Sequence, residues 1–324
     1  MPIVEFVGQG PTNSTLDLMW RSPREYGTAS CTSALHRGRA VSPDRDECPA
    51  PSAGGAPGAR RAGRVPTIFA MGGGGFTMEP ENPALDEFVR GLAPAREPRI
   101  CLLPTAGGDS EDQIRRFYTA FADQLCKPTH VSLFRLGAQL VPLREHLLSQ
   151  DVVYVGGGSM INLLALWRAH GVDAILREAW QAGIVLAGLS AGSMCWFEHG
   201  ITTSTGAPRA AAGLGFLPGS NSVHHDGEPA RRPVFLDAVA RGDIPPGWGV
   251  DDGVGLLFRG TRVAEAVTSR PGARAYRVHV VEGEVVEEAI EPRVLTLSVR
   301  VDPKTPLAVT ELRALRAARQ GRLD

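Results

Sequence analysis

Short apolar runs alternate with segments of helical spacing along much of the chain. The runs, predicted as strands, cover residues 67–71, 99–103, 129–136, 151–155 and 183–187. The predicted helices cover residues 87–92, 110–125, 159–170 and 172–182. This alternation predicts a parallel sheet with helices on both faces, whose ligand crevice lies outside the carboxyl ends of the strands. Glycine-rich turns follow most of the runs, so we expect the functional site at that edge.

The two ends of the chain depart from this pattern. An antiparallel extension and a terminal helix are predicted from residues 254–258, 275–281, 294–297 and 310–319. Residues 37–64 are dense in Pro, Gly, Ala, Ser and Arg and lack the apolar periodicity that would offset chain entropy on folding. We therefore predict a disordered extension over residues 1–64 and a single α/β domain over residues 65–324.

Composition narrows the class of protein. With 43% hydrophobic and 21% charged residues, the 324-residue chain is typical of a soluble globular protein. A net charge of -1 argues against a nucleic-acid partner, and no apolar run is long enough to span a membrane. The five cysteines lack metal-ligand spacing, and the first residues lack signal-peptide features. We expect no cofactor or metal, a cytoplasmic location and, as a possible assembly, a homodimer.

Ser190 is the strongest candidate for chemistry. It occupies the centre of a G-x-S-x-G turn at residues 188–192, directly after an apolar run and before a helix-compatible segment. This is the pattern of a nucleophile elbow, in which the serine hydroxyl is exposed above the sheet and the next backbone N–H can bind an oxyanion. The alternative interpretation is an ordinary strand-to-helix turn with a capping serine.

A nucleophilic serine needs a base, an acid and oxyanion donors. The adjacent His224 and His225, in a polar stretch interpreted as a loop, are the best candidates for the base. Spacing alone leaves four candidates for the acid that holds the base: Asp226, Glu228, Asp251 and Asp252. Ala191 supplies one backbone donor, and Gly158 is the natural second donor. The glycine-rich turns lack the lysine and spacing of phosphate-binding motifs, so nucleotide binding is not favoured.

Several motifs in chain order carry a family resemblance: residues 68–76, 103–106, 154–158, 188–192 and the loop of His224. Their combination, over about residues 66–290, resembles peptidase E, the aspartyl dipeptidase family of serine peptidases, to which cyanophycinase is related. The resemblance implies a mainly parallel sheet flanked by helices, similar to class I glutamine amidotransferases (flavodoxin-like). It also implies Ser190 as the nucleophile, His224 as the base, and Gly158 and Ala191 as oxyanion donors.

Three positions depart from the family pattern. Ser159 stands where relatives usually carry Asn, and His225 where they carry Tyr. Thr203 takes the place of an acidic residue that is sometimes assigned to the triad. The family's other candidate acid precedes the next apolar strand, where this chain has Asp252. A member that lacks the first acid should depend on the second, so we predict that Asp252 orients the base.

The resemblance predicts a serine exopeptidase that hydrolyses short peptides. A family preference for an N-terminal aspartate would need a cation, which Arg231 and Arg232 could supply as a fork for the carboxylate. The alternative for both is a surface position with pairing to Glu228. Two other functions stay open: an amidotransferase-like amidase, which would need a thiol nucleophile, and a non-enzymatic binding protein on the same scaffold.

Overall fold

A computed structural model of the protein describes residues 63–122, 124–138 and 142–296. The strands are β1 (Thr67–Met71), β2 (Arg99–Leu103), β3 (Lys127–His130), β4 (Val152–Val155), β5 (Val185–Leu189), β6 (Phe197–Thr202), β7 (Arg209–Ala212), β8 (Leu217–Val223), β9 (Gly247–Val250), β10 (Val254–Arg259), β11 (Arg262–Thr268), β12 (Ala275–Val281), β13 (Glu284–Ile290) and β14 (Arg293–Val294). The helices are α1 (Gly75–Met78), α2 (Ala84–Gly91), α3 (Glu111–Ala122), α4 (Leu143–Ser149), α5 (Met160–His170), α6 (Val172–Gln181), α7 (Ala191–Met194) and α8 (Arg231–Ala240). Short 3-10 turns cover Thr105–Gly107 and Leu133–Ala138.

Two sheets organise these elements. The first has the strand order β14-β11-β10-β1-β5-β4-β2-β3. Its five strands β1, β5, β4, β2 and β3 are parallel to one another. Strand β10, predicted at residues 254–258, extends it in the antiparallel sense, and β11, which the sequence pattern did not predict, continues the extension. Residues 275–281, predicted to belong to the same extension, form β12 of the other sheet. The second sheet has the order β13-β12-β9-β8-β6-β7, with β6, β8 and β9 parallel to one another. The predicted α/β class, a mainly parallel sheet flanked by helices, is confirmed.

Helices cover both faces of the first sheet. Alternate residues of its central strands therefore belong to two different hydrophobic clusters, one on each face. In β1, Ile68 belongs to one hydrophobic cluster and its neighbour Phe69 to another, and both are fully buried. The first cluster also contains residues of the second sheet, such as Val223 and Val250. The two sheets therefore share a core, which fixes the carboxyl ends of β5 and β8 relative to each other. Among the described residues, no helix is long and apolar enough to cross a membrane.

Two other predicted elements were wrong. The third predicted strand, at residues 129–136, ends early at His130, because the Asp109 carboxylate accepts hydrogen bonds from the Ser132 hydroxyl and the Phe134 N–H and turns the chain. The stretch before His224 was interpreted as a polar loop, but it forms the buried strand β8. Its backbone pairs with β6 and β9, and these hydrogen bonds satisfy its buried peptide groups. The polar side chains of this stretch gave no sign of a buried strand.

The domain boundaries stay a prediction. Residues 1–62 of the predicted extension and the predicted helix at residues 310–319 lie outside the described residues. Elsewhere the predicted helix boundaries hold to within a few residues. Helix α5 begins after Ser159, whose hydroxyl accepts the N–H of Asn162, and it ends at Gly171 in the left-handed conformation.

Candidate active site

The turn between β5 and α7 exposes Ser190 in a strained conformation. Its φ of 55° and ψ of -116° are rarely adopted by a residue with a side chain. The flanking glycines explain how the turn is accommodated: a Cβ on Gly188 would overlap the carbonyl oxygen of Gly192, and a Cβ on Gly192 would overlap that of Val155. The Ser190 N–H is held by the Met71 carbonyl at 3.2 Å. This is the geometry of a nucleophile elbow rather than of a capping turn.

His224 connects Ser190 to a carboxylate. It directly follows β8 with a φ of 51°, and its Nε2 lies 2.9 Å from Ser190 Oγ. Its Nδ1 lies 2.5 Å from Asp252 Oδ1, and the His224 and Asp252 side chains are only 13% and 10% exposed. Hydroxyl, imidazole and carboxylate thus form a continuous chain of contacts, as general-base activation of a serine requires.

The carboxylates of the other three candidate acids bond to groups other than the His224 ring, although the Glu228 backbone N–H donates to the His224 carbonyl at 2.8 Å. Asp226 accepts the backbone N–H of Asp252 at 2.9 Å and so supports the Asp252 backbone. Asp251 accepts the N–H of Arg274, and burial raises its pKa to about 6. Glu228 pairs with Arg231. Geometry therefore singles out Asp252, the acid that the resemblance favoured.

Two glycines that the sequence analysis did not identify make room for this acid. A Cβ on Gly73 would overlap Asp252 Oδ1 and lie 2.9 Å from the His224 ring, and a Cβ on Gly227 would lie 2.8 Å from Asp252 Oδ2. The glycine run at residues 72–75 indicates a close approach of the backbone to another group. That group, the Asp252 carboxylate, lies too far away in the sequence to be identified from it. Nothing in the local pattern singled out Gly227.

His225 lies in a separate buried cluster. Its side chain is fully buried, its Nε2 lies 2.5 Å from Glu287 Oε1, and its ring centre lies 5.2 Å from that of Tyr276. Burial lowers its pKa more than the neighbouring Glu287 carboxylate raises it. Since His224 makes the contact with Ser190, the geometry separates two histidines that the sequence could not distinguish.

The candidate oxyanion donors lie on two adjacent turns. Ala191 is the first residue of α7, where a backbone N–H has no acceptor within the helix. Gly158 has a φ of 140°, and a Cβ there would overlap the Ala106 carbonyl, so the position requires glycine. A Cβ on the preceding Gly157 would lie 3.2 Å from the Ser190 Cβ. The turn after β4 therefore packs directly against the candidate nucleophile.

The two arginines predicted to bind a substrate carboxylate have internal partners. Arg231 is 2% exposed, and its guanidinium donates to the Ile201 carbonyl, the Thr203 hydroxyl and Glu228. This arrangement does not favour contact between Arg231 and substrate, and it supports the alternative pairing with Glu228, although as a buried group.

Arg232 pairs with Glu287, and its side chain is 46% exposed. A third cation was missed by the sequence analysis. Arg270 packs beside Gly253, next to Asp252, and is 40% exposed while paired with Glu79. Its position next to the acid became visible only in the fold.

Comparisons with known proteins show what the chain is similar to. Residues 68–266 match Peptidase family S51. The uncharacterized peptidase YgaJ of Bacillus subtilis (strain 168) is 47% identical over 220 residues, which are 68% of this chain and 95% of that protein. The crystal structure of a peptidase from an acI-B1 Actinobacterium is similar with a TM-score of 0.52 and 20% identity, covering 70% of this chain and 95% of that one. A putative peptidase E protein from Listeria monocytogenes EGD-e has a TM-score of 0.46 at 15% identity, covering 70% of this chain and 100% of that one.

Proposed function

The chain belongs to peptidase family S51, the peptidase E family, and we propose that it is a serine exopeptidase in which Ser190, His224 and Asp252 act together on short peptides. Family membership confirms the predicted resemblance and makes the protein a peptidase. The single observation that carries the proposed mechanism is the contact chain of 2.9 Å from Ser190 to His224 and 2.5 Å from His224 to Asp252.

The proposed reaction follows from these contacts. Ser190 Oγ attacks the scissile carbonyl carbon while its proton passes to His224 Nε2, and Asp252 stabilises the resulting imidazolium through Nδ1. The N–H groups of Gly158 and Ala191 bind the oxyanion of the tetrahedral intermediate. The intermediate expels the amine, which takes the proton from His224, and leaves an acyl group on Ser190. Water, activated by the same histidine, then releases the acid product and restores the serine.

The two alternative functions are less well supported. An amidase with a thiol nucleophile would depend on Cys195, but this residue is fully buried, and burial raises the pKa of its thiol well above 9.0. Its Sγ lies 3.3 Å from the Gly192 carbonyl, at the C-terminal end of α7, the elbow helix. A binding protein without catalysis would not need the Ser190–His224–Asp252 contacts or the strained backbone that supports them.

A serine-reactive fluorophosphonate probe tests the nucleophile. We expect one covalent adduct on Ser190, located by peptide mass spectrometry, and loss of both the adduct and peptide hydrolysis in Ser190→Ala. Removing a nucleophile that acts as a unit with its base should lower kcat by several orders of magnitude. The thermal midpoint serves as the control for folding. More than about a tenth of the activity in a folded Ser190→Ala protein would exclude the serine mechanism.

For substrate choice, we propose a preference for an N-terminal aspartate, bound by Arg232 or Arg270. Both cations are partly exposed. The Arg270 guanidinium also interacts electrostatically with Asp226 and Asp252, so it lies near the proposed acid of the site. Hydrolysis of Asp-Leu should exceed that of Asn-Leu, which has the same shape without the charge, and of Ala-Leu. Replacing the responsible arginine by alanine should raise KM for Asp-Leu alone. Equal turnover of the three dipeptides would exclude an acidic preference while leaving the peptidase mechanism intact.

A further inference from the structure

We propose that Gln113 is a positioning residue for the oxyanion hole. Its side-chain amide holds the peptide group between Gly157 and Gly158, and so aims the Gly158 N–H. This inference rests on the proposed function, because it assumes that this N–H binds an oxyanion. Gln113 lies in the first turn of α3, is 8% exposed, and its Nε2 donates to the Gly157 carbonyl oxygen at 3.3 Å.

The link from Gln113 to the oxyanion donor is covalent geometry. The carbonyl of Gly157 and the N–H of Gly158 belong to one planar trans peptide, so they point in opposite directions. A hydrogen bond that fixes the oxygen therefore fixes the direction of the hydrogen. It also polarises the peptide, which makes its N–H a stronger donor to a developing negative charge.

This peptide needs such a restraint. Both of its residues are glycines, so its plane can rotate with less steric resistance than that of any other residue pair. The next anchor is the Ser159 N–H, which donates to the Ala106 carbonyl at 2.8 Å and holds the chain on the far side of Gly158. Gln113 supplies the anchor on the near side, so the rotating unit is held at both ends.

The glycines around Gln113 show that its amide fits tightly between two turns of the sheet edge. A Cβ on Gly156 would lie 2.5 Å from Gln113 Oε1, and a Cβ on Gly107 would lie 3.1 Å from it. Among the described residues, this buried oxygen has no hydrogen-bond partner. The hydrogen bond to the Gly157 carbonyl is therefore the only one that this amide makes within the described part of the chain.

Two variants separate the hydrogen bond from the packing. Gln113→Met keeps length and volume but removes the donor. Gln113→Glu keeps the shape, cannot donate as a carboxylate, and can donate again once it is protonated. Both should slow attack by Ser190 at neutral pH by about tenfold, less than the 10²–10³ lost when an oxyanion-hole donor is itself removed.

The fluorophosphonate reaction supplies a readout that needs no known peptide. Ser190 Oγ forms a bond to phosphorus, the P–F bond breaks, fluoride leaves, and the serine proton passes to His224. The phosphonyl oxygen develops charge where the oxyanion would lie, so the maximal rate of labelling reports the oxyanion hole, whereas the half-saturating probe concentration reports binding. We expect the maximal rate to fall and the half-saturating concentration to stay within about twofold.

The pH dependence distinguishes positioning from mere support of the fold. We expect the ratio of the Gln113→Glu rate to the wild-type rate to rise as pH falls and the carboxyl gains its proton. The corresponding ratio for Gln113→Met should not change with pH. Rescue by protonation at an unchanged thermal midpoint is the result that supports the proposal.

Gln150→Met is the matched control. Gln150 is also a buried glutamine, 2% exposed, whose Nε2 donates to a backbone carbonyl, that of His146 at 2.9 Å. It precedes β4, at the opposite end of the strand from Gly157. We expect Gln150→Met to lower the thermal midpoint and leave the labelling rate unchanged.

The outcomes separate this inference from the proposed function. Failure of the wild-type protein to form an adduct on Ser190 would overturn both. Labelling of wild type and both Gln113 variants at equal maximal rates would overturn the role of Gln113 and leave the serine mechanism standing. Equal losses of rate in Gln113→Met and Gln150→Met would likewise overturn it, because the effect would then follow from lost stability.

Discussion

Replacing Asp252 by asparagine tests whether this carboxylate orients His224, the proposed general base. Asp252 Oδ1 lies 2.5 Å from His224 Nδ1, in a contact that is largely shielded from water. Asparagine has almost the same shape, but its amide NH₂ can donate to Nδ1. That contact favours the tautomer with its proton on Nε2, the nitrogen that faces Ser190 at 2.9 Å. The imidazole then cannot accept the serine proton, and the negative charge that stabilises the imidazolium is gone.

We expect kcat to fall by about 10⁴, as it does for this substitution in a Ser-His-Asp protease, which corresponds to about 5.5 kcal/mol of activation free energy. KM should change little, because Asp252 contacts the histidine rather than the substrate. Dipeptide hydrolysis at neutral pH measures both constants, and the rate of fluorophosphonate labelling checks the loss without a peptide. The thermal midpoint reports whether the fold is intact.

Asp251→Asn and Asp226→Asn are the matched controls. The Asp251 carboxylate accepts the Arg274 N–H, and that of Asp226 accepts the Asp252 N–H, each at 2.9 Å. Neither touches His224, so both variants should lose far less activity than Asp252→Asn. An Asp252→Asn protein close to wild type, together with an inactive Asp251→Asn or Asp226→Asn protein, would refute this assignment of the acid.

Two further predictions concern stability. Burial raises the pKa of Asp86, which bonds to Tyr154, from 3.8 to about 7. The folded chain thus holds this proton more tightly than the unfolded chain, so the stabilisation is present below about pH 4 and lost as pH rises through about 7. Asp86→Asn should gain stability over wild type above that pH, by at most about 4 kcal/mol, and parallel Tm curves against pH would contradict this. A chain that begins at Val65 should keep its Tm and activity; a large loss of either would show that the predicted extension packs on the domain.

The central sheet could be predicted from the sequence because its strands are buried on both faces. Such strands are continuous apolar runs, and the predicted bounds of β1 and β2 match the structure. The elbow was also predictable, since the requirement for glycine at position 188 reflects a local collision with the Gly192 carbonyl. The requirement at Gly192 comes from the Val155 carbonyl on the neighbouring strand, yet the short G-x-S-x-G spacing still marks the turn.

The second sheet and the supports of the site were not predictable in this way. Strand β8 contains the fully buried polar residues Ser220, Asn221 and Ser222, which resemble a loop by composition. The Asn221 amide donates to the Ser193 hydroxyl at 2.9 Å, a contact with the elbow helix that only the fold reveals. Gln113 was missed for the same reason, because its partner Gly157 belongs to a different strand end.

The site depends on the packing of the two sheets against each other. Ser190 follows β5 of the first sheet, His224 follows β8 of the second, and Asp252 lies in the connection from β9 to β10, which passes between the sheets. Both Ser190 and His224 have positive φ, and such strained conformations persist only where the surrounding structure holds them. The shared hydrophobic core supplies that restraint. Substitutions that alter this core should therefore lengthen the Ser190–His224 contact and lower kcat before they unfold the protein.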